Sequence, residues 1–157
     1  MSLKLYFAPG ACSFVPHCLL QLSGTDYEPA MVKLHKGEQN GDEYKAINPR
    51  GQVPVLVDNG QVVTQILAII LYLDQKFPDA KFLPTDALAR AKAIETLAWM
   101  NNTVHPTFTH VFMPQKYSDQ ADVQAALKVF NAQTYKSLLA ELEAIVVNGL
   151  KKSEWLS

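Results

Sequence analysis

Leu3, Leu5 and Phe7 alternate with Lys4 and Tyr6. This is the period-two pattern of a half-buried strand. Ala8-Pro9-Gly10-Ala11 interrupts it. Ser13 is placed to cap a helix over Phe14 to Ser23. Pro16 falls in the first turn, where a missing N–H costs little, and Gly24 supplies the stop. A second strand is predicted from Tyr27 to Leu34, with Pro29 putting it near a sheet edge. His35 to Gly41 is a polar loop, and Asp42 to Ile47 suits a short helix. Asn48-Pro49-Arg50-Gly51 is a turn signal. Val53 to Val57 then reads as a strand, with Pro54 at its start. Asp58-Asn59-Gly60 closes a hairpin to Gln61–Thr64, because Asn-Gly supplies the positive φ angles of a primed turn. Gln65 to Phe77 is helical and apolar on most sides, so it is expected to be buried.

The composition changes after Phe77. Residues 79–86 read as a linker between a domain over 1–78 and another over 87–157. Asp86 suits the cap of a helix to about Asn101, continuing past His105 with a kink at Pro106. Ser118 or Asp119 starts a further helix from Gln120 to Asn148, stopped by Gly149. Val123, Leu127, Phe130, Leu138, Leu142 and Ile145 mark its apolar stripe. In the first half, strand–helix–strand is followed by hairpin–helix. That order joins a parallel unit to an antiparallel one in one mixed sheet with helices on both faces. It is the thioredoxin-like α/β arrangement, followed by an all-helical region.

The 157 residues are 48% hydrophobic and 18% charged, with a net charge of −1. This is the balance of a folded globular chain, with no excess of charge to favour nucleic acid or an anionic membrane. The longest apolar run, Ile66 to Leu73, is far short of the roughly 18 residues a spanning helix needs. Two cysteines, Cys12 and Cys18, make no disulfide framework, so reduced thiols and a cytoplasmic location are expected. Cys12 leaves a strand and precedes a helix, where unpaired N–H groups favour thiolate over thiol. Lowering a thiol pKa from about 8.5 to about 6.5 raises the thiolate fraction at pH 7 from about 3% to about 75%. The alternative role for Cys12 is that of a small buried hydrophobe. Val15 stands where a Cys-x-x-Cys pair would have its second cysteine, which argues against an internal dithiol. Cys18 reads as core.

Tyr6-Phe7-Ala8-Pro9-Gly10-Ala11-Cys12-Ser13 and Ile47-Asn48-Pro49-Arg50-Gly51-Gln52-Val53-Pro54-Val55-Leu56 together resemble the glutathione transferases. The likeness is strongest to the bacterial beta class, which carries Cys-Ser in the first loop. The resemblance implies a homodimer that binds reduced glutathione in its thioredoxin-like domain and presents it to a small hydrophobic electrophile. It needs no metal. On it, Cys12 lies beside the glutathione sulfur and can hold it as a mixed disulfide, with Ser13 its neighbour. Val53 is the residue whose backbone pairs with the cysteinyl part of the tripeptide. Pro54 is the cis-proline. A cis bond there turns the preceding backbone groups outward, where a peptide can add as a short strand. Gln65 matches the position that holds the γ-glutamyl end, Lys36 the one near the glycyl carboxylate, and Gln52 a further polar contact. His105 matches a histidine able to hydrogen-bond the sulfur or a water, alongside Cys12 as a catalytic residue.

The chain departs from the family pattern in three places. Ile66 stands where a serine or glycine commonly meets the γ-glutamyl carboxylate. The helix N–H there remains, but a charge-assisted hydroxyl bond, about 1.5–3 kcal/mol, is lost. The His35-Lys36-Gly37 loop is shorter than usual. The helical domain is expected to be incomplete, leaving apolar surface on the long helices and near Trp155 and Leu156, answered by dimer contacts or an exchanged segment. The function expected is glutathione conjugation, with thiol–disulfide exchange through Cys12 as neighbouring chemistry. The alternative is a non-catalytic binding or assembly module with weakened glutathione affinity. Tyr117, Phe108, Phe112 and Met113 are candidates to line the electrophile site.

Overall fold

The structure, a computed structural model, describes residues 3–151; Trp155 and Leu156 lie outside them. The chain divides into two compact units between Ile94 and Glu95.

Unit 1 contains β1 (Leu3–Phe7), α1 (Phe14–Ser23), β2 (Glu28–Met31), α2 (Asp42–Ile47), β3 (Val55–Asp58), β4 (Gln61–Thr64) and α3 (Ile66–Lys76). The four strands form one sheet in the order β2-β1-β3-β4. β1 runs parallel to β2, with Lys4 opposite Glu28, and antiparallel to β3, with Leu5 opposite Leu56. β4 returns antiparallel to β3 through Asn59 (φ 48°) and Gly60 (φ 82°), the primed turn that Asn-Gly predicted. β2 is an edge strand, as Pro29 requires, but it stops at Met31 rather than Leu34. Residues 34–40 instead form two short 3₁₀ turns.

Alternation along the strands divides the core between the two sheet faces. Leu3, Leu5 and Leu56 pack with Leu20 of α1 and with Ile69 and Leu73 of α3. Val55 packs on the other face with Val32 and Tyr44 of α2. This is the thioredoxin-like layering. The connection after α3 is pinned by Asp74, which is buried. Its carboxylate accepts the Leu83 N–H at 2.9 Å and meets Arg90 Nη1 at 2.7 Å. Asp86 caps the next helix, α4 (Ala87–Trp99), by accepting the Ala89 N–H at 2.9 Å.

Unit 2 continues from α4 through a π-helical segment, Met100–Val104, into α5 (His105–Phe112) and then α6 (Ala121–Lys151). A kink was expected at Pro106; the chain takes the wider turn just before it. The His105 N–H donates to the Met100 carbonyl, five residues back. Pro106 has no N–H to offer, and the π turn re-spaces the bonds around the gap. α5 packs on α6 through an aromatic cluster, with the Phe108 ring 4.7 Å from Phe112 and 6.0 Å from Tyr135.

Two expectations for α6 fail. The helix runs through Gly149, which takes no positive φ, and ends its described span at Lys151. Glycine costs a helix only about 1 kcal/mol relative to alanine, too little to end one without a left-handed cap. Phe130 is 81% exposed and so lies off the inward stripe, and Val123 and Ile145 are exposed as well. The half-buried positions include Leu127, Asn131, Tyr135, Leu138 and Leu142, a spacing that steps past residue 130.

Candidate functional site

The loop between β1 and α1 is closed by Ser13. Its Oγ accepts the Ala8 N–H at 3.0 Å and its hydroxyl donates to the Ala8 carbonyl at 3.1 Å. Ser13 is fully buried and makes no side-chain cap to α1. The expected cap is therefore corrected: the hydroxyl is spent on closing the loop behind the neighbouring cysteine. Gly10, at φ 71°, lets the chain make the bend.

Cys12 is half-buried at the start of α1. Its thiol donates to the Val53 carbonyl at 3.8 Å, across 41 residues of sequence. The Val53–Pro54 bond is cis, as the resemblance implied. The fold thus brings together three of the predicted site residues, Cys12, Val53 and Pro54.

The segment before Val53 is held by two side chains that sequence reading left unassigned. The Tyr44 hydroxyl and the Asn48 side-chain amide each donate to the Gln52 carbonyl at 2.8 Å. Asn48 is buried, and its Oδ1 accepts the Arg50 N–H at 3.2 Å. Burial, with the nearby Tyr6 hydroxyl, pushes the Tyr44 pKa up to about 12, so Tyr44 remains a donor at any ordinary pH. The Gln52 side chain is exposed. The available signal was the asparagine of the turn, whose amide can serve the backbone locally. Nothing local in the sequence marks Tyr44 for this role.

Gln65 precedes α3 at φ 71° and ψ 122°, with its side chain exposed and no side-chain cap. Ile66 is the first helical residue and is half-buried. Helix N–H groups at this end form an anion-favouring terminus. Lys36 sits exposed on the first 3₁₀ turn. That loop is tied by Glu38, which accepts the Lys33 N–H at 2.7 Å and meets Lys33 Nζ at 3.6 Å. Lys36 and the Gln65–Ile66 pair therefore stand on segments separate from the Cys12–Val53 contact.

His105 belongs to unit 2, at the junction of the π segment and α5. Its ring meets Phe108 edge-on at 6.3 Å. Desolvation, and secondarily the charge of Lys116, lowers its pKa and favours the neutral ring. Among the described residues no group of three or more His, Cys, Asp or Glu could hold a metal. No described helix is long and apolar enough to cross a membrane.

Residues 1–75 match the family described as glutathione S-transferase, N-terminal domain. The chain is 42% identical over 115 residues to Glutathione S-transferase GstA of Escherichia coli O157:H7, covering 71% of this chain and 57% of that one. It therefore spans little more than half the length of that curated relative. A glutathione transferase homologue from Sulfitobacter, solved with bound glutathione, superposes with a TM-score of 0.85 at 26% identity, covering 90% of this chain and 69% of that one. A sphingomonad glutathione S-transferase complexed with glutathione has a TM-score of 0.74 at 30% identity, covering 92% and 70%. With a dedicated N-terminal domain match, this identity and this coverage, the chain belongs to the glutathione S-transferase family.

Proposed function

We propose that this chain binds reduced glutathione on unit 1 and promotes attack of its thiolate on a small hydrophobic electrophile. In that reaction the glutathione thiol loses its proton, a carbon–sulfur bond forms and the bond to the leaving group breaks. The contribution of the protein is lowering the thiol pKa and positioning. The observation that carries the reading is the Cys12 thiol on the Val53 carbonyl, beside Pro54. A peptide thiol seated against this backbone stands next to a protein sulfur. Ser13 supports the loop, Gln65 and the N–H of Ile66 suit the γ-glutamyl end, Lys36 suits the glycyl end, and Gln52 a further polar contact. The neutral ring of His105, which desolvation favours, is able to accept or donate one hydrogen bond at a sulfur or water. Phe108, Phe112, Met113 and Tyr117 offer the apolar surface an electrophile requires. A homodimer in the cytoplasm is part of the same reading.

Cys12 also suits exchange. Its thiolate attacks oxidised glutathione, an S–S bond forms to one half, and the other half leaves as glutathione thiolate. A binding module without turnover is the second reading, favoured by Ile66, which brings no hydroxyl to the carboxylate site.

Calorimetric titration with reduced glutathione, paired with turnover of an aryl halide, tests the proposal. The expected outcome is saturable binding with conjugation. No binding at millimolar ligand removes the enzyme and leaves the module, as does binding without turnover. Mass spectrometry after oxidised glutathione should show an adduct of one glutathione that the Cys12→Ser variant lacks.

A further inference from the structure

The Gln52–Val53 peptide bond is trans, since Val53–Pro54 is the cis bond of the described chain. A planar trans peptide points its N–H opposite to its carbonyl. The Gln52 carbonyl is held inward by two donors, Tyr44 and Asn48, each at 2.8 Å. Both donors belong to the interior: Tyr44 is 6% exposed and Asn48 2%. Tyr44 packs with Val32 and Val55 under the sheet, with its ring edge-on to Tyr6 at 5.8 Å. Asn48 is anchored at both ends, its backbone N–H donating to Tyr44 O at 2.8 Å and its carbonyl accepting the Gly51 N–H at 2.9 Å. With the carbonyl fixed inward, the Val53 N–H is aimed away from the α2 side of the sheet.

We infer that Tyr44 and Asn48 are positioning residues for ligand binding: through the Gln52 carbonyl they set the direction of the Val53 N–H, the donor offered to the backbone of a bound peptide thiol. This rests on the glutathione reading above for the ligand's identity, but the clamp itself is a property of the chain. Neither side chain touches the ligand in this scheme. Each acts by removing the freedom of one peptide plane, so that the donor is oriented before the ligand arrives. Two donors on one oxygen make the arrangement redundant. Loss of one leaves the plane restrained; loss of both releases it.

The test uses the full chain with Tyr44→Phe, Asn48→Ala and the double variant. Tyr44→Phe keeps the ring and deletes only the hydroxyl. Val32→Ala is the control, because it loosens the same apolar cluster without touching the Gln52 carbonyl. Well below the unfolding midpoint, calorimetry with reduced glutathione should show Kd within about twofold of the parent in each single variant and raised about tenfold or more in the double variant. The double variant should exceed the product of the two, and Val32→Ala should stay within about twofold while its midpoint falls. A second readout needs no ligand. The Val53 amide should have an NMR order parameter near 0.85 in the parent chain and below about 0.6 in the double variant. Wild-type Kd in the folded double variant overturns the inference, as does a Kd change that Val32→Ala reproduces. If the parent chain fails to bind glutathione, the functional reading falls and the order parameter alone decides: an unchanged value in the double variant overturns the clamp, and a drop upholds it.

Discussion

Unit 1 encloses a buried apolar core, although Phe14 and Leu22 of α1 stand exposed, whereas unit 2 turns most of its apolar side chains outward. Leu5, Leu20, Val55, Leu56, Ile69 and Leu73 are all fully buried in unit 1. In unit 2, among the described residues, Val104 and Pro114 are the buried aliphatic side chains, while Val129 and Phe130 of α6 are 78% and 81% exposed. The cause is architectural. A sheet covered on both faces gives its central strands, β1 and β3, partners above and below, while a helix packed on one neighbour buries only the stripe it turns toward it. The Cys12–Val53 contact grows from the closed unit, where the core holds the backbone on both sides of the contact. His105 sits in the open unit, on a helix whose register is set by a π turn. The expected apolar surface on the long helices is seen in α6.

Core truncation should separate the units most strongly. Leu56→Ala removes a fully buried side chain and is expected to cost about 2–5 kcal/mol. Phe130→Ala should change stability by less than about 0.5 kcal/mol. Urea unfolding of the two variants measures the difference, and comparable losses would break the comparison. Glycine should reveal the contrast next, with opposite signs. Gly51 sits at φ 62°, and an added Cβ would lie 2.8 Å from the Gln39 carbonyl oxygen, so Gly51→Ala should destabilise by about 1–3 kcal/mol. Gly149 is helical and an added Cβ there meets nothing within 4 Å, so Gly149→Ala should stabilise by up to about 1 kcal/mol. Thermal midpoints of both variants give the signs.

Acid should discriminate the units by pH window, with the smallest effect. In unit 1 the Asp58 pKa is lowered, first by the hydrogen bond from Lys76 at 2.5 Å and then by that from Tyr72. A lowered carboxylate stabilises the fold above its unfolded value near 4, and this is lost as pH falls through the folded value. In unit 2 the His105 pKa is lowered by desolvation. The unfolded chain then binds the extra proton just below about pH 6.5, so stability rises with pH through that window. On acidification from pH 7, the His105 contribution should fall first and that of Asp58 only below about pH 4. Asp58→Asn should flatten the lower limb and His105→Gln the upper one. Denaturant titrations from pH 3 to 7 read both slopes, and unchanged slopes would refute the assignment.

Much of unit 1 was legible because its punctuation is local. Asn59-Gly60 carries its own φ requirement, Gly24 takes the left-handed cap at φ 67°, and Asp86 reaches a donor three residues on. The Ser13 reading failed because a hydroxyl at a helix start has two places to go. The loop offered both an N–H and a carbonyl on Ala8, and closure put them within reach. The clamp on Gln52 was illegible for a related reason: Tyr44 reads as an ordinary core aromatic until α2 is docked under the turn. For Phe130 the error was one of phase. A stripe drawn from apolar residues alone does not say which side of a long helix the neighbour occupies, and Tyr135 with Asn131 marks the side actually covered.

The sequence by itself determined the order of elements, the turns, the edge position of β2 and the motif pair that resembles one family, because each depends on neighbours a few residues apart. The tertiary structure decided which polar groups meet: the Cys12 thiol with Val53 across 41 residues, Ser13 with Ala8, and two donors on one carbonyl before Pro54. Those pairings follow from packing helices on a twisted sheet. A buried polar group takes whichever partner the packing brings within bonding distance, and no local pattern records that choice.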